Sequence, residues 1–250
     1  MIWGLFRDAL LQRRRGFRLD ARACVELLQP TLHVIGAENI PSGGCYIITP
    51  NHYFRPGFDS QWTALAISAC VPGDVHWIMT GELTIPGRWI APLGRPISRF
   101  VLRRIASVYG FTRMPPMPPR ASDVAARSAA VRQVLRFVEQ APKAIIGLAP
   151  EGRDQTGGRL AMPPSGIGRF CLLLAKAGLK FLPVGVFEGD GALTLSFGPL
   201  YTLAIADASS PLEADRLAAR TVMAHIAPLL PLALQGSFSP QAASTTQENG

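Results

Sequence analysis

Seven short apolar runs, each rich in Val, Ile or aromatic residues, recur at 31–35, 45–49, 75–79, 108–112, 144–149, 181–187 and 192–198. Runs of that length, bounded by Gly, Pro or polar residues, read as strands. Stretches with helical spacing separate them, at 60–70, about 97–107, 122–140 and 166–177. In 122–140, Val124, Val131, Leu135 and Val138 share one face, and the pattern stops before Pro142. The next stretch ends at Gly178, a natural C-cap residue. A last helix opens at Ser210-Pro211, where Ser210 and Glu213 form a capping box and proline takes the first turn. Residues 2–28 read as an N-terminal amphipathic helix, with Ile2, Leu5, Phe6 and Leu10 on one side and Arg7, Arg14, Arg18 and Arg22 interspersed. Alternating strands and helices predict an α/β fold: a single domain with a largely parallel mixed sheet of about seven strands flanked by helices. That domain is expected over 29–235, followed by a disordered tail over 236–250, GSFSPQAASTTQENG, which is polar, small and aperiodic.

At 250 residues the chain is long enough for one domain with a sizeable core. Its net charge of +8 comes almost wholly from arginine, since Lys occurs only at 143, 176 and 180. A basic excess suits anionic lipid, nucleic acid and phosphorylated substrates alike. Nucleic acid is set aside, because aromatics do not interleave with the arginines and no recognition motif occurs. The cysteines at 24, 45, 70 and 171 lack metal-like spacing and read as buried free thiols of a reducing compartment. His33, His76 and His225 are isolated, so no metal site is expected. There is no Gly-x-Ser-x-Gly elbow and no Walker A or Gly-x-Gly-x-x-Gly loop. No apolar run reaches the roughly 18 to 20 residues of a spanning helix. The N-terminus puts its apolar residues ahead of Arg13-Arg14-Arg15, the reverse of a secretory signal, so a cytoplasmic location is expected.

The polar residues that directly follow apolar runs carry the chemistry. They are Asn51-His52, Gly81-Glu82, Arg113 and Pro150-Glu151-Gly152-Arg153. In open α/β sheets the carboxyl ends of the strands border the ligand crevice, so one crevice could hold all four. His52 is the candidate general base, and a carboxylate partner would fix its tautomer and stabilise its imidazolium. Asp59 is the nearest acid. A helix over 52–59 would separate the two by about 10.5 Å, whereas a turn at Pro56-Gly57 would fold them together. Asp59 also suits the N-cap of a helix starting at Ser60, and the two roles are compatible. Arg55, Arg113 and Arg153 are candidate phosphate ligands, because a planar guanidinium binds phosphate through two parallel bonds. Glu151 follows a buried strand and therefore needs a partner, either an arginine or the hydroxyls of a substrate.

In this combination the chain resembles the 1-acylglycerol-3-phosphate (lysophosphatidate) and glycerophosphate acyltransferases, over roughly residues 31–205. Asn51-His52 with Asp59 is similar to the first motif of that family, Gly81-Glu82-Leu83 with Pro86 to the segment after the second strand, and Tyr109-Gly110-Phe111-Thr112-Arg113 to the second motif. Pro150-Glu151-Gly152-Arg153 with Gly157 resembles the third motif, and Leu182-Pro183-Val184-Gly185-Val186 the fourth. Two departures stand out. Six residues separate His52 from Asp59 where the family has four, and Pro164 stands where the family often has lysine. The resemblance implies an O-acyltransferase in which His52 and Asp59 activate an acceptor hydroxyl, while Arg55, Arg113, Glu151, Gly152 and Arg153 serve the acceptor. It implies an acyl-CoA or acyl carrier protein donor, a lysophospholipid acceptor, no cofactor, and a peripheral position on an anionic membrane at the inner face of the cell. The competing expectation is a catalytically silent lipid-binding relative that has lost the dyad through the wider His-Asp spacing.

Overall fold

A computed structural model describes residues 14–27, 31–54, 60–82, 91–116, 120–153, 156–206 and 208–239. Seven strands form one sheet: β1 (Thr31–Ile35), β2 (Tyr46–Pro50), β3 (His76–Thr80), β4 (Thr112–Met114), β5 (Ile145–Gly147), β6 (Lys180–Gly189) and β7 (Ala192–Phe197). Their spatial order is β1-β7-β6-β2-β5-β3-β4, and every neighbouring pair is parallel except β6 with β7. The antiparallel pair turns at Asp190-Gly191, both at positive φ, a backbone that matches the twist of a two-residue hairpin. The α/β class expected from the alternation of elements is therefore what the chain adopts.

The helices are α1 (Phe17–Val25), α2 (Ser60–Cys70), α3 (Ala91–Tyr109), α4 (Val124–Gln140), α5 (Ile167–Lys176) and α6 (Pro211–Ile226). They cover both faces. Successive strand residues point to opposite sides, so Tyr46 and Ile48 enter one core with Ile67 of α2 and Val71 just after it. Ile47 enters the other, with Val134 of α4, Leu174 of α5 and Val222 of α6. Parallel strands covered on both faces read as continuous apolar runs, which is why Tyr46–Pro50 is buried throughout.

Four expectations need correction. The strand placed at 108–112 lies at Thr112–Met114, because α3 runs through Val108-Tyr109 and ends at Gly110, whose φ of +74° suits a helix stop. The same helix begins at Ala91 rather than near 97 and carries Pro96 inside it. The helix expected over 2–28 is not continuous: residues 14–16 are not helical, and α1 starts after Gly16. There the Arg15 N–H bonds to the Val108 carbonyl at 3.0 Å and its guanidinium grips Asp20. Residues 2–13 and 28 lie outside the described residues. Finally, Gly236–Phe238, placed in the tail, forms a 3₁₀ turn against Leu160, while 240–250 lie outside the described residues.

Candidate functional site

β6, β2, β5, β3 and β4 run parallel, so their carboxyl ends make one continuous edge. Three successive residues at the end of β2 are each tied to a different element. The Asn51 side chain behaves as an extra peptide unit. Its Nδ2 donates to the Val186 carbonyl at 2.9 Å and its Oδ1 accepts the Val186 N–H at 2.6 Å, which continues the β2–β6 ladder past Pro50. The main-chain N–H of His52 donates to Glu151 Oε2 at 2.7 Å. The Tyr53 hydroxyl donates to Glu188 Oε2 at 2.8 Å. The half-buried His52 ring thus sits on a backbone held from both sides.

Glu151 is buried at 2% exposure, and its second oxygen, Oε1, accepts the Ala161 N–H at 2.9 Å. Burial pushes its carboxyl above the ordinary carboxylate range, although the bonds from His52 and Ala161 and the charge of His52 pull the other way. The sequence suggested an arginine or substrate hydroxyls as partners. The structure supplies main-chain amides instead, so Glu151 braces the His52 loop against the segment at 161. Gly152 follows at φ +66° and returns its N–H to the Ala149 carbonyl at 3.2 Å. A side chain there would be strained. Arg153 comes next and is exposed.

Further along the edge the residues form a separate group. Glu82, after β3, is buried and held by Arg99 of α3 through Nε at 2.9 Å. Arg113 lies within β4, three strands from β2 and therefore about 14 Å away at the usual strand spacing. It lines a cleft of about 800 Å³ with Glu82, Arg99, Phe100 and Arg103 on one side and Gln133 and Arg136 of α4 on the other. The structure therefore joins His52 directly to Glu151 and places Arg113 in the neighbouring cleft. Arg55 and Asp59 lie outside the described residues.

Several residues of this edge escaped the sequence reading. The role of Asn51 was visible only as half of an Asn-His pair, because its partners are main-chain atoms 135 residues away. Arg99 and Arg103 carried a better signal, since i,i+4 spacing on α3 puts both on one face. Among the described residues no group of three His, Cys, Asp or Glu could hold a metal ion, and no helix is long and apolar enough to cross a membrane.

No protein-family model matches the chain, and no curated protein matches it. Among solved structures it is similar to the 1-acyl-sn-glycerophosphate (LPA) acyltransferase, PlsC, from Thermotoga maritima. The TM-score is 0.46 and the identity 16%, over 76% of this chain and 68% of that one. A likeness at that level is one of fold alone.

Proposed function

We propose that the chain is an acyltransferase moving a fatty acyl group from an acyl thioester, of coenzyme A or acyl carrier protein, to the hydroxyl of a lysophospholipid such as 1-acylglycerol 3-phosphate. The observation that carries this reading is the bond between the His52 amide and Glu151, residues 99 positions apart. It draws together the loops of two of the acyltransferase-like motifs at the sheet edge where such folds bind ligands.

In this mechanism the His52 imidazole takes the proton of the acceptor hydroxyl as that oxygen attacks the thioester carbonyl. The tetrahedral intermediate collapses, the carbon–sulfur bond breaks, and the imidazolium returns the proton to the leaving thiolate. An ester and a thiol result, without a covalent acyl-enzyme and without a cofactor. Asp59 orients the imidazole. Arg55, Arg113 and Arg153 supply cationic contacts for the acceptor phosphate, while Glu151 and Gly152 shape the loop beneath it. The acceptor resides in a bilayer, so the protein works at an anionic membrane surface on its cytoplasmic side.

The test is to incubate the protein with labelled acyl-CoA or acyl carrier protein and a panel of lysophospholipids and phosphate-free alcohols. Transfer to a phosphate-bearing acceptor is expected. No transfer from either donor to any acceptor would refute the reading.

A further inference from the structure

Residues 91–140 hold nine arginines and two acids, a net +7 of the chain's +8. The fold gathers this segment at one end of the sheet, because α3 and α4 both pack against β4, the edge strand. Some arginines at this end meet carboxylates. Arg99 grips Glu82, and Arg15 grips Asp20, which also accepts the Tyr109 hydroxyl at 2.8 Å. Others do not.

Arg14, Arg103 and Arg113 line a second cleft of about 360 Å³ together with Ser107, Gly110 and Gln133, and among the described residues no Asp or Glu lines it. Arg14 arrives here from before α1 and is held in place. The N–H of its neighbour Arg15 is bonded to the Val108 carbonyl, and Gly110 leaves the space its guanidinium fills. A Cβ on Gly110 would come within 2.5 Å of Arg14 Nη1. Three cations turned towards one hollow repel one another, and an anion between them removes that repulsion. Guanidinium forks match the oxygens of a phosphate, and Ser107 and Gln133 add neutral donors.

We propose that Arg14, Arg103 and Arg113 form an anion site for the phosphoester of a substrate, beside the Gly110 turn at the edge strand and apart from the His52 loop. The volume is ample for a diphosphate. The site stands whichever reaction His52 serves. Two sources share this chemistry: the phosphate-bearing end of a soluble donor such as coenzyme A, and the phosphate of a lipid headgroup.

Calorimetric titration of the full chain with inorganic pyrophosphate reads the site without turnover. Arg14→Gln and Arg103→Gln should each weaken binding about tenfold or more, since each removes a charge-assisted contact. Arg103→Lys, which keeps the charge, should retain most of the affinity. Arg132→Gln removes the same charge from an exposed position outside the cleft and should change affinity less than about twofold. All three positions are exposed, so melting temperatures should stay with the parent. Unaltered affinity in both glutamine variants, an equal loss in Arg132→Gln, or no pyrophosphate binding by the parent would overturn the proposal. The same variants are then tested with coenzyme A and with vesicles containing phosphatidate. Loss confined to coenzyme A assigns the site to a soluble donor, and loss confined to vesicles assigns it to a lipid phosphate. Loss in neither arm would overturn a role in substrate binding.

Discussion

Glu151 holds the backbone of His52 rather than its ring: the His52 N–H meets Glu151 Oε2 at 2.7 Å, while the other carboxylate oxygen holds the Ala161 N–H at 2.9 Å. A buried acid placed in this way fixes where the base stands by fixing the chain that carries it.

Replacing it should therefore cost stability and positioning together. Glu151→Ala leaves two main-chain donors without acceptors, at about 1–3 kcal/mol each. For a protein of this size that is about 2–4 °C of melting temperature per kcal/mol. Glu151→Gln keeps one acceptor oxygen and should fall between parent and alanine variant. Thermal melts decide; both variants melting with the parent would show that Glu151 does not brace the loop.

A second buried acid organises the opposite core. Asp215 of α6 accepts the N–H groups of Gly166 and Arg169, each at 2.7 Å, and thereby caps the start of α5 from a neighbouring helix. Asp215→Ala should destabilise by about 2–3 kcal/mol, and Asp215→Asn, which retains one oxygen, by less. Denaturant titration measures both; a midpoint equal to the parent's in Asp215→Ala would contradict the cap.

His76 makes stability depend on pH. Burial first, and the nearby charge of Arg14 second, lower its pKa from 6.5 to about 4. Its ring is stacked on Phe137, with Nε2 2.8 Å from the Thr112 hydroxyl. Between pH 6.5 and 4 the unfolded chain binds a proton there and the folded chain does not. Stability therefore rises with pH through that window and is lost on acidification, by about 3 kcal/mol in all. Denaturation at pH 7 and pH 4.5 should show the loss in the parent and a smaller one in His76→Asn. Equal losses would assign the slope to other groups.

How far these features were legible depends on whether their partners lie nearby in sequence. The strand at Thr31–Ile35 and the Ser210 cap, whose hydroxyl accepts the Glu213 N–H at 3.2 Å, are written locally, in alternation and spacing. The fourth strand was misplaced because Val108-Tyr109 is as apolar as a strand, and only the left-handed Gly110 marks the helix end. The placing of β5 between β2 and β3 depends on long-range pairing that no local pattern encodes. Glu151 and Asp215 bond to main-chain amides, and every residue but proline offers one of those. Sequence could flag the acids as needing partners but not say which.

An acyl-transfer assay on His52→Ala, run beside the parent with the same thioester donor and lysophospholipid, reads whether this imidazole is the base of the reaction. The imidazole contributes no bond to the Glu151 brace, which uses the main-chain N–H and survives in the variant. Transfer should fall by about 10²- to 10⁴-fold with the melting temperature unchanged. Transfer by His52→Ala at the parent's rate would show that the base of the reaction lies elsewhere.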